Sequence, residues 1–236
     1  MINVLFSAQD THWDEYRDHL QKAFADKSLR VDLDVKHEPE KVDYIIFTPA
    51  GPVTDFTPYT RTKAVLGLWA GVESIVTNKT LTQPLARMVD EGLTQGMVEW
   101  VTGHVLRHHL GIDQHILHQD GTWDSTPPPL ARDRRVTVLG LGALGAACAQ
   151  ALARLGFAVT GWSRSEKRLN GICCAYGKDG LENALRRADI LVLLLPLTAA
   201  PGNVVDAKAL ALLPDGAVII NPGRGPLIDD DALLAA

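Results

Sequence analysis

Gly140-Leu141-Gly142-Ala143-Leu144-Gly145 is the stretch that decides the fold, because of what stands on either side of it. The preceding run, Arg135-Val136-Thr137-Val138-Leu139, is rich in β-branched and apolar residues and predicts a buried strand. The following run, residues 146–155, is rich in strong helix formers and ends at Gly156. A strand, a glycine turn and a helix in this order predict the start of a dinucleotide-binding βαβ unit.

Each glycine of this loop has a physical role in such a unit. Gly140 allows the tight turn, Gly142 lets the backbone approach a pyrophosphate, and Gly145 lets the helix and the strand pack closely. The N–H groups at the helix start, from Ala143 and Leu144 onward, point at the anion and act together with the positive end of the helix dipole. The plainer alternative is a glycine turn that only packs a helix on a strand, and the flanking elements favour the dinucleotide site.

The overall composition limits the class of protein. The 236 residues carry a net charge of −5, with 46% hydrophobic and 22% charged residues, which is ordinary for a soluble globular protein. We predict no nucleic-acid partner, because there is no basic footprint, and no membrane partner, because no apolar run approaches the ~20 residues that span a bilayer. Three cysteines give no disulfide framework, which favours a reduced, cytoplasmic setting. No spacing of Cys and His predicts a zinc site.

Strands and helices alternate in both halves of the chain, which predicts parallel βαβ units. In the first half we predict strands at 4–6, 29–35, 42–47, 64–68 and 85–89, with helices at 13–25 and 94–110. In the second half we predict strands at 136–139, 158–162, 172–176, 190–195 and 217–221, with helices at 143–155, 180–187 and 206–213. The proline-rich residues 111–134 predict a surface connector. The fold class is therefore α/β, with two doubly wound domains at residues 1–98 and 99–236.

The end of the second predicted strand of the dinucleotide unit indicates which coenzyme is bound. In NAD-binding proteins an acid there bonds the ribose 2′-OH, but this strand ends in Trp162 and Ser163, followed by Arg164. We predict that Trp162, Ser163, Arg164 and Lys167 contact the coenzyme. Ser163, Arg164 and Lys167, with Arg168, are placed to surround a 2′-phosphate, which arginine binds through its planar fork. We therefore favour NADP(H) over NAD(H), although a short basic run is also typical of a solvated helix start.

Two further loops follow the carboxyl ends of buried strands, where ligands of open α/β sheets bind. Arg224, preceded by Pro222 and Gly223, is predicted to meet a small anionic substrate beside the nicotinamide. Leu195 and Pro196 end the preceding strand and are predicted to line the nicotinamide pocket, although Pro196 fits a plain strand terminator equally well. The alternative for Arg224 is a surface arginine in a glycine turn.

These motifs together resemble a known family. Residues 140–145, 195–198, 221–225 and 68–75 occur in the order seen in D-2-hydroxyacid dehydrogenases. The likeness is strongest to the glyoxylate/hydroxypyruvate reductases, which share the start of the connecting helix at residues 96–100 and the Trp-Ser-Arg end of the second strand. The likeness runs through all 236 residues.

The resemblance implies a flavodoxin-like substrate domain, a Rossmann dinucleotide-binding domain and a homodimer. It implies that the backbone N–H groups of Ala70, Gly71 and Val72 bind the carboxylate of a small 2-keto or 2-hydroxy acid. Arg224 would bind the carboxylate and the keto oxygen and polarise the carbonyl for hydride attack. The expected activity is the NAD(P)H-dependent reduction of glyoxylate and hydroxypyruvate. The plainer alternative for Gly71 is a turn glycine.

The sequence departs from the family pattern in three places. Trp69 stands where many relatives have glycine, which predicts a bulkier substrate loop. Pro201 replaces a common threonine, which puts a phosphate-side contact in doubt. Relatives continue past residues 221–225, the arginine loop, to a Glu and to a His that acts as the acid/base. None of the eight histidines in this sequence matches that His. We therefore expect a fragment or a processed form that lacks the C-terminal part of the Rossmann domain and turns over slowly, because general acid–base catalysis contributes about 10²–10⁴-fold.

Two other functions stay open from the sequence. A dinucleotide-binding module without turnover, acting as a sensor or a partner-binding protein, fits the absence of the acid/base His but has no use for Arg224. A β-hydroxyacid dehydrogenase has a similar glycine loop but gives no role to the N-terminal βα domain.

Overall fold

The computed structural model describes residues 1–197 and 203–236, which form two compact units, Met1–Val89 and Asp90–Ala236. The elements of the first unit are β1 (Ile2–Ser7), α1 (Asp10–Asp26), β2 (Val31–Asp34), β3 (Tyr44–Phe47), β4 (Ala64–Gly67) and β5 (Leu85–Ala86). The second unit begins with the helices α2 (Glu91–His109) and α3 (Ile112–Leu117). It continues with β6 (Arg135–Leu139), α4 (Ala143–Arg154), β7 (Ala158–Ser163), β8 (Cys173–Tyr176), α5 (Gly177–Leu185), β9 (Ile190–Leu193), α6 (Ala207–Leu210), β10 (Val218–Ile220) and α7 (Asp230–Ala235).

The first unit is built on a parallel sheet with the strand order β2-β1-β3-β4-β5. This is the flavodoxin-type order, in which the direction of winding reverses between β1 and β3. Successive residues of a strand face opposite sides of a sheet. Accordingly Phe6 packs under α1 against Trp13, whereas Leu5 and Ile45 belong to the core on the other face.

The second unit is built on a parallel sheet with the strand order β10-β9-β6-β7-β8. This order matches five strands of the Rossmann arrangement and reverses between β6 and β9. The helices α2 and α4 cover one face, where Val101, Val105 and Leu152 are fully buried. The predicted α/β class with two doubly wound sheets is confirmed.

Three boundaries differ from the sequence-based expectations. The units divide after Val89, whereas the expected division at 98/99 falls inside α2. The physical reason is that the Asp90 carboxylate caps this helix by accepting the N–H of Leu93 at 2.9 Å, and the helix then packs on α4 as one piece. Residues 111–134, expected as a connector, contain the short helix α3. The helix expected at 206–213 is the single turn α6, because residues beyond it form turns before Pro214.

One histidine of α2 is buried in the core of the second unit. His109 is 6% exposed, and its imidazole stands edge-on to the Phe157 ring with the centroids 4.9 Å apart. Burial lowers the pKa of His109, and the positive charge of Arg134 lowers it further. This imidazole is therefore harder to protonate in the folded protein than in the unfolded chain.

We expect the substitution His109→Leu to reduce the sensitivity of the fold to acid. Because the pKa is lower in the folded state, stability is fully present above the ordinary histidine pKa of 6.5 and decreases as the pH falls below it. The drop in Tm between about pH 7.5 and about pH 5.5 should be smaller in this variant than in the wild type. The neighbouring exposed histidine gives the control, His108→Leu, which should keep the wild-type drop. Equal drops in both variants would contradict this explanation.

Candidate coenzyme and substrate site

The glycine loop joins β6 to α4 at the point where the winding of the second sheet reverses. Gly140 has a φ of +107°, in the left-handed region that favours glycine, and its N–H donates to the carbonyl oxygen of Trp162 at 2.8 Å. A Cβ added to Gly140 would collide with the carbonyl oxygen of Leu194. A Cβ added to Gly145 would collide with the carbonyl oxygen of Gly140. The first and third glycines therefore allow a turn and a close approach that no larger residue permits.

The N-terminal end of α4 has the form of an anion site. Gly142 is the N-cap, no side chain caps this end, and there is no acidic residue in the first turn. The first N–H groups of a helix have no acceptor within the helix, and Ala143 and Leu144 lie in this first turn. A Cβ added to Gly142 would meet nothing within 4 Å, so the space beside the loop is open. These residues fit a coenzyme pyrophosphate.

The end of β7 holds the residues predicted to select the coenzyme. The side chain of Trp162 is buried, and its indole Nε1 donates to the carbonyl oxygen of Gly177 at 2.8 Å. The Ser163 hydroxyl donates to the carbonyl oxygen of Ser165 at 2.7 Å, which closes the turn after the strand. Arg164 is exposed. The indole of Trp162 thus fixes the end of the strand, while Arg164 is accessible to an anion.

A cavity of about 430 Å³ opens beside the same strand end. It is lined by Glu166, Lys167, Arg168, Leu169, Asn170, Ile172, Cys174 and Tyr176. Arg168 forms an exposed ion pair with Glu166 at 3.1 Å, so part of the positive charge of this segment is already compensated. In the described part of the chain, no group of three or more His, Cys, Asp and Glu residues is arranged to hold a metal ion.

The arginine loop follows β10 and is clamped by one asparagine. Asn221 accepts the N–H of Gly223 at 3.1 Å through Oδ1 and donates Nδ2 to the carbonyl oxygen of Arg224 at 2.9 Å. The Arg224 side chain is exposed, and its Nη1 donates to the carbonyl oxygen of Gly223 at 3.0 Å. Sequence reasoning did not give Asn221 this role, although an asparagine directly after a strand is a known turn signal. The clamp fixes the backbone from which the guanidinium projects.

Three loops of the second unit meet at one edge of its sheet. The glycine loop approaches the chain after β9, as the contact between Gly140 and Leu194 shows. The arginine loop approaches the end of β9, because a Cβ added to Gly223 would lie 3.0 Å from the carbonyl oxygen of Leu193. The glycine loop, the end of β9 and the arginine loop are thus neighbours, as expected for the carboxyl ends of adjacent parallel strands.

The remaining predicted nicotinamide residues lie on this edge with different exposure. Leu195 is half-buried and packs on the core beneath, Pro222 is half-buried, and Pro196 is exposed. Thr198, the last residue of the motif at 195–198, and Pro201 lie outside the described residues.

The predicted substrate loop belongs to the first unit, where residues 70–72 follow the carboxyl end of β4. The backbone is anchored on both sides of the three residues. The carbonyl oxygen of Trp69 accepts the N–H of Met88 at 3.3 Å, and that of Val72 accepts the N–H of Ile75 at 3.1 Å. All three residues are half-buried.

Comparison with known proteins gives three informative matches. The curated glyoxylate/hydroxypyruvate reductase A of Serratia proteamaculans is 34% identical over 184 residues, which cover 74% of this chain and 59% of that protein. A D-isomer specific 2-hydroxyacid dehydrogenase from Xanthobacter autotrophicus, solved with NADPH and MES, has a TM-score of 0.89 and 37% identity. The alignment covers all of this chain and 76% of that one.

The third match is the NADPH-dependent glyoxylate/hydroxypyruvate reductase of Sinorhizobium meliloti, solved with NADP and sulfate. It has a TM-score of 0.79 and 30% identity over all of this chain and 77% of that one. The chain therefore spans about three fifths of the length of the curated relative and about three quarters of the solved ones. In the described ranges no helix has the length and apolar character needed to cross a membrane.

A family model matches the second part of the chain. The model described as "D-isomer specific 2-hydroxyacid dehydrogenase, NAD binding domain" matches residues 102–236, which contain the glycine loop and the arginine loop. The resemblance inferred from the motifs is confirmed, and so is an NAD(P)-binding domain in the second unit. This chain belongs to the D-isomer specific 2-hydroxyacid dehydrogenase family.

Proposed function

We propose that this protein reduces small 2-keto acids, such as glyoxylate and hydroxypyruvate, to 2-hydroxy acids with NADPH. The observation that carries the proposal is the placement of a clamped, exposed arginine on the same sheet edge as a coenzyme-type glycine loop, with the end of β9 between them. A 2-keto acid needs an anion site and a group that polarises its carbonyl, and the coenzyme supplies the hydride when it is bound. The names of the reductases from Serratia and Sinorhizobium support the same activity.

The proposal gives each group of residues one task. The N–H groups of Ala143, Leu144 and Gly145 hold the pyrophosphate, and the strand ends at Leu195, Pro196, Pro222 and Gly223 line the nicotinamide. The guanidinium of Arg224 binds the carboxylate and polarises the keto oxygen. The N–H groups of Ala70, Gly71 and Val72 bind the carboxylate. We assign the proton donor to no residue of this sequence, because the resemblance implies a histidine that none of the eight histidines matches.

The experiment uses the natural protein purified at its native length, which intact mass establishes. Absorbance at 340 nm is followed with NADPH alone and then with glyoxylate or hydroxypyruvate added. We expect NADPH oxidation that depends on the keto acid and saturates with it. Tight NADPH binding without any keto-acid-dependent oxidation would instead favour the dinucleotide-binding module without turnover.

The preference for NADPH over NADH is a second part of the proposal. It is supported by the exposed Arg164 directly after β7, by Lys167 in the adjacent cavity and by Ser163, whose hydroxyl closes the turn that contains Arg164. A charge-assisted, bidentate bond from Arg164 to a 2′-phosphate stabilises NADPH and does nothing for NADH.

We therefore expect Arg164→Gln to raise the Kd for NADPH about 10–100-fold, since hydrogen bonds to charged groups contribute about 1.5–3 kcal/mol. The Kd for NADH should stay nearly constant. Quenching of protein fluorescence by each coenzyme gives both constants. The control is Arg154→Gln, an exposed arginine in the last turn of α4. A wild-type preference for NADH, or equal changes for the two coenzymes, would remove Arg164 from this role.

Two further expectations stay predictions. A homodimer is what the resemblance implies, and light scattering on the natural protein tests it. A reduced, cytoplasmic setting agrees with the free thiols of Cys148, Cys173 and Cys174, and fractionation of the source cells tests it.

A further inference from the structure

Four aromatic side chains form a continuous stack from the core of the first unit to its predicted substrate loop. Phe6 of β1 is 2% exposed, and its ring centroid lies 6.3 Å from that of Tyr16 on α1. Tyr16 contacts His12 edge-on at 6.1 Å, and His12 contacts Trp69 edge-on at 6.5 Å with an interplanar angle of 84°. The stack ends in an indole that is 42% exposed, so that much of its surface is available to another molecule.

Trp69 is held in place by its backbone as well as by its ring. The preceding residue, Leu68, donates its N–H to the carbonyl oxygen of Phe47 at 2.9 Å, and the carbonyl oxygen of Trp69 accepts from Met88. Both ends of this dipeptide are thus tied to neighbouring chain segments of the first unit. A half-exposed tryptophan with a fixed backbone and an edge-on partner presents a rigid apolar surface.

This surface lies within reach of the amides that are proposed to bind the substrate. Consecutive Cα atoms are 3.8 Å apart, so the Cα of Gly71 lies no more than about 7.6 Å from that of Trp69. A carboxylate held by the N–H groups of residues 70–72 therefore has the indole-bearing residue as its neighbour. The rest of a keto acid extends only a few bonds from that carboxylate.

His12 contributes to this stack through the contacts of its aromatic ring. Its Nδ1 is buried and has no hydrogen-bond partner in residues 1–197 and 203–236. A buried polar atom without a hydrogen-bond partner is unfavourable, so the polarity of this nitrogen does not stabilise the fold. The contacts that His12 makes with Tyr16 and Trp69 are between ring edges and faces.

We propose that Trp69 is the residue that limits the size of the keto acid, and that His12 is the positioning residue that holds its indole. The inference rests on the proposed function and deepens it. The indole forms an apolar wall beside the carboxylate site, so that acids with two or three carbons are accepted and acids with a large side chain are excluded.

The first test removes the indole. In Trp69→Gly, the ratio of kcat/KM for phenylpyruvate to that for glyoxylate should rise at least about 10-fold, since one methylene in a pocket changes selectivity about 10–200-fold. The rise should come from phenylpyruvate, mainly as a lower KM, while glyoxylate changes little. Trp69→Phe should give a smaller rise, because a smaller ring remains.

The second test separates the positioning of the indole from the stability of the fold. His12→Phe keeps an aromatic ring at this place and should retain the wild-type substrate ratio. His12→Leu removes the ring and should raise the ratio in the same direction as Trp69→Gly, by a smaller factor. The Tm of each variant is measured alongside, and the two Trp69 variants decide the proposal if a His12 variant fails to fold.

A matched pair on α2 provides the control. Trp100 is 45% exposed and stacks on His104 with the ring centroids 4.1 Å apart, so it resembles the Trp69 pair in exposure and in partner. Trp100→Gly should leave the substrate ratio at the wild-type value. A wild-type protein that reduces glyoxylate and a Trp69→Gly variant with an unchanged ratio would overturn this inference and leave the proposed function standing. Absence of glyoxylate reduction in the wild type would overturn the proposed function itself.

Discussion

Replacing Arg224 by glutamine should lower kcat/KM for glyoxylate by about 10²–10³-fold, the loss found when one donor to a developing oxyanion is removed. The Kd for NADPH should stay within about twofold, because the glycine loop and the end of β7 are untouched. The reason is geometric as much as electrostatic. Asn221 clamps the loop on both sides of Gly223, so the guanidinium starts from a fixed backbone at the sheet edge.

Two further variants distinguish the roles of charge and geometry. Arg224→Lys keeps the positive charge but loses the planar fork, so it should recover only part of the lost activity. Asn221→Ala releases the clamp and should lower kcat with little change in NADPH affinity. The control is Arg132→Gln, since Arg132 is exposed and lies 4.0 Å from Asp133 in a loose pair. If Arg224→Gln reduces glyoxylate at the wild-type rate, the arginine does not bind the substrate.

The parts of the fold that the sequence predicts well are those with strong local signals. The strand expected at 136–139 is Arg135–Leu139, and the helix expected at 143–155 is Ala143–Arg154. A β-branched run followed by glycines and then by alanines strongly favours one local structure, because the turn residues and the secondary-structure propensities agree. Element order and sheet type follow from the same signals repeated along the chain.

The parts that sequence reasoning missed depend on contacts between distant residues. The pairing of His12 with Trp69 joins positions 57 apart in the chain, and no spacing pattern indicates it. The division at Val89 depends on where α2 packs, and the apolar spacing of a helix does not say which unit covers it. For Trp162 no sequence signal indicated that its indole is buried and donates to the carbonyl oxygen of Gly177, and its coenzyme contact stays a prediction.

The largest effect on coenzyme binding is expected from a single methyl group at Gly145. In Gly145→Ala the new Cβ would collide with the carbonyl oxygen of Gly140 and lie 2.9 Å from its carbonyl carbon. Backbone atoms cannot move aside as the tip of a flexible side chain does, and Gly140 itself abuts Leu194. The glycine loop must therefore open, which shifts the first-turn amides of α4 away from the pyrophosphate.

We expect Gly145→Ala to weaken NADPH binding at least about 100-fold, since each lost hydrogen bond to the charged pyrophosphate costs about 1.5–3 kcal/mol and more than one is displaced. Overpacking should also cost roughly 1–3 kcal/mol of folding free energy, which is about 2–4 °C in Tm for each kcal/mol. Fluorescence titration with NADPH and a thermal melt give the two quantities. The loss of NADPH affinity should persist well below the Tm, where the protein is folded. Lower stability alone therefore does not account for it.

The control for this substitution is the same change in a place with room for it. Gly180 lies inside α5, and a Cβ there would make ordinary contacts at 3.5 Å with Ala175. Gly180→Ala should bind NADPH as the wild type does and raise stability by roughly 0.5–1 kcal/mol, because glycine is costly within a helix. Wild-type NADPH affinity in Gly145→Ala would mean that the coenzyme does not sit on this loop. Equal losses in both variants would mean that the effect comes from added bulk in general and not from the crossing of Gly145 over Gly140.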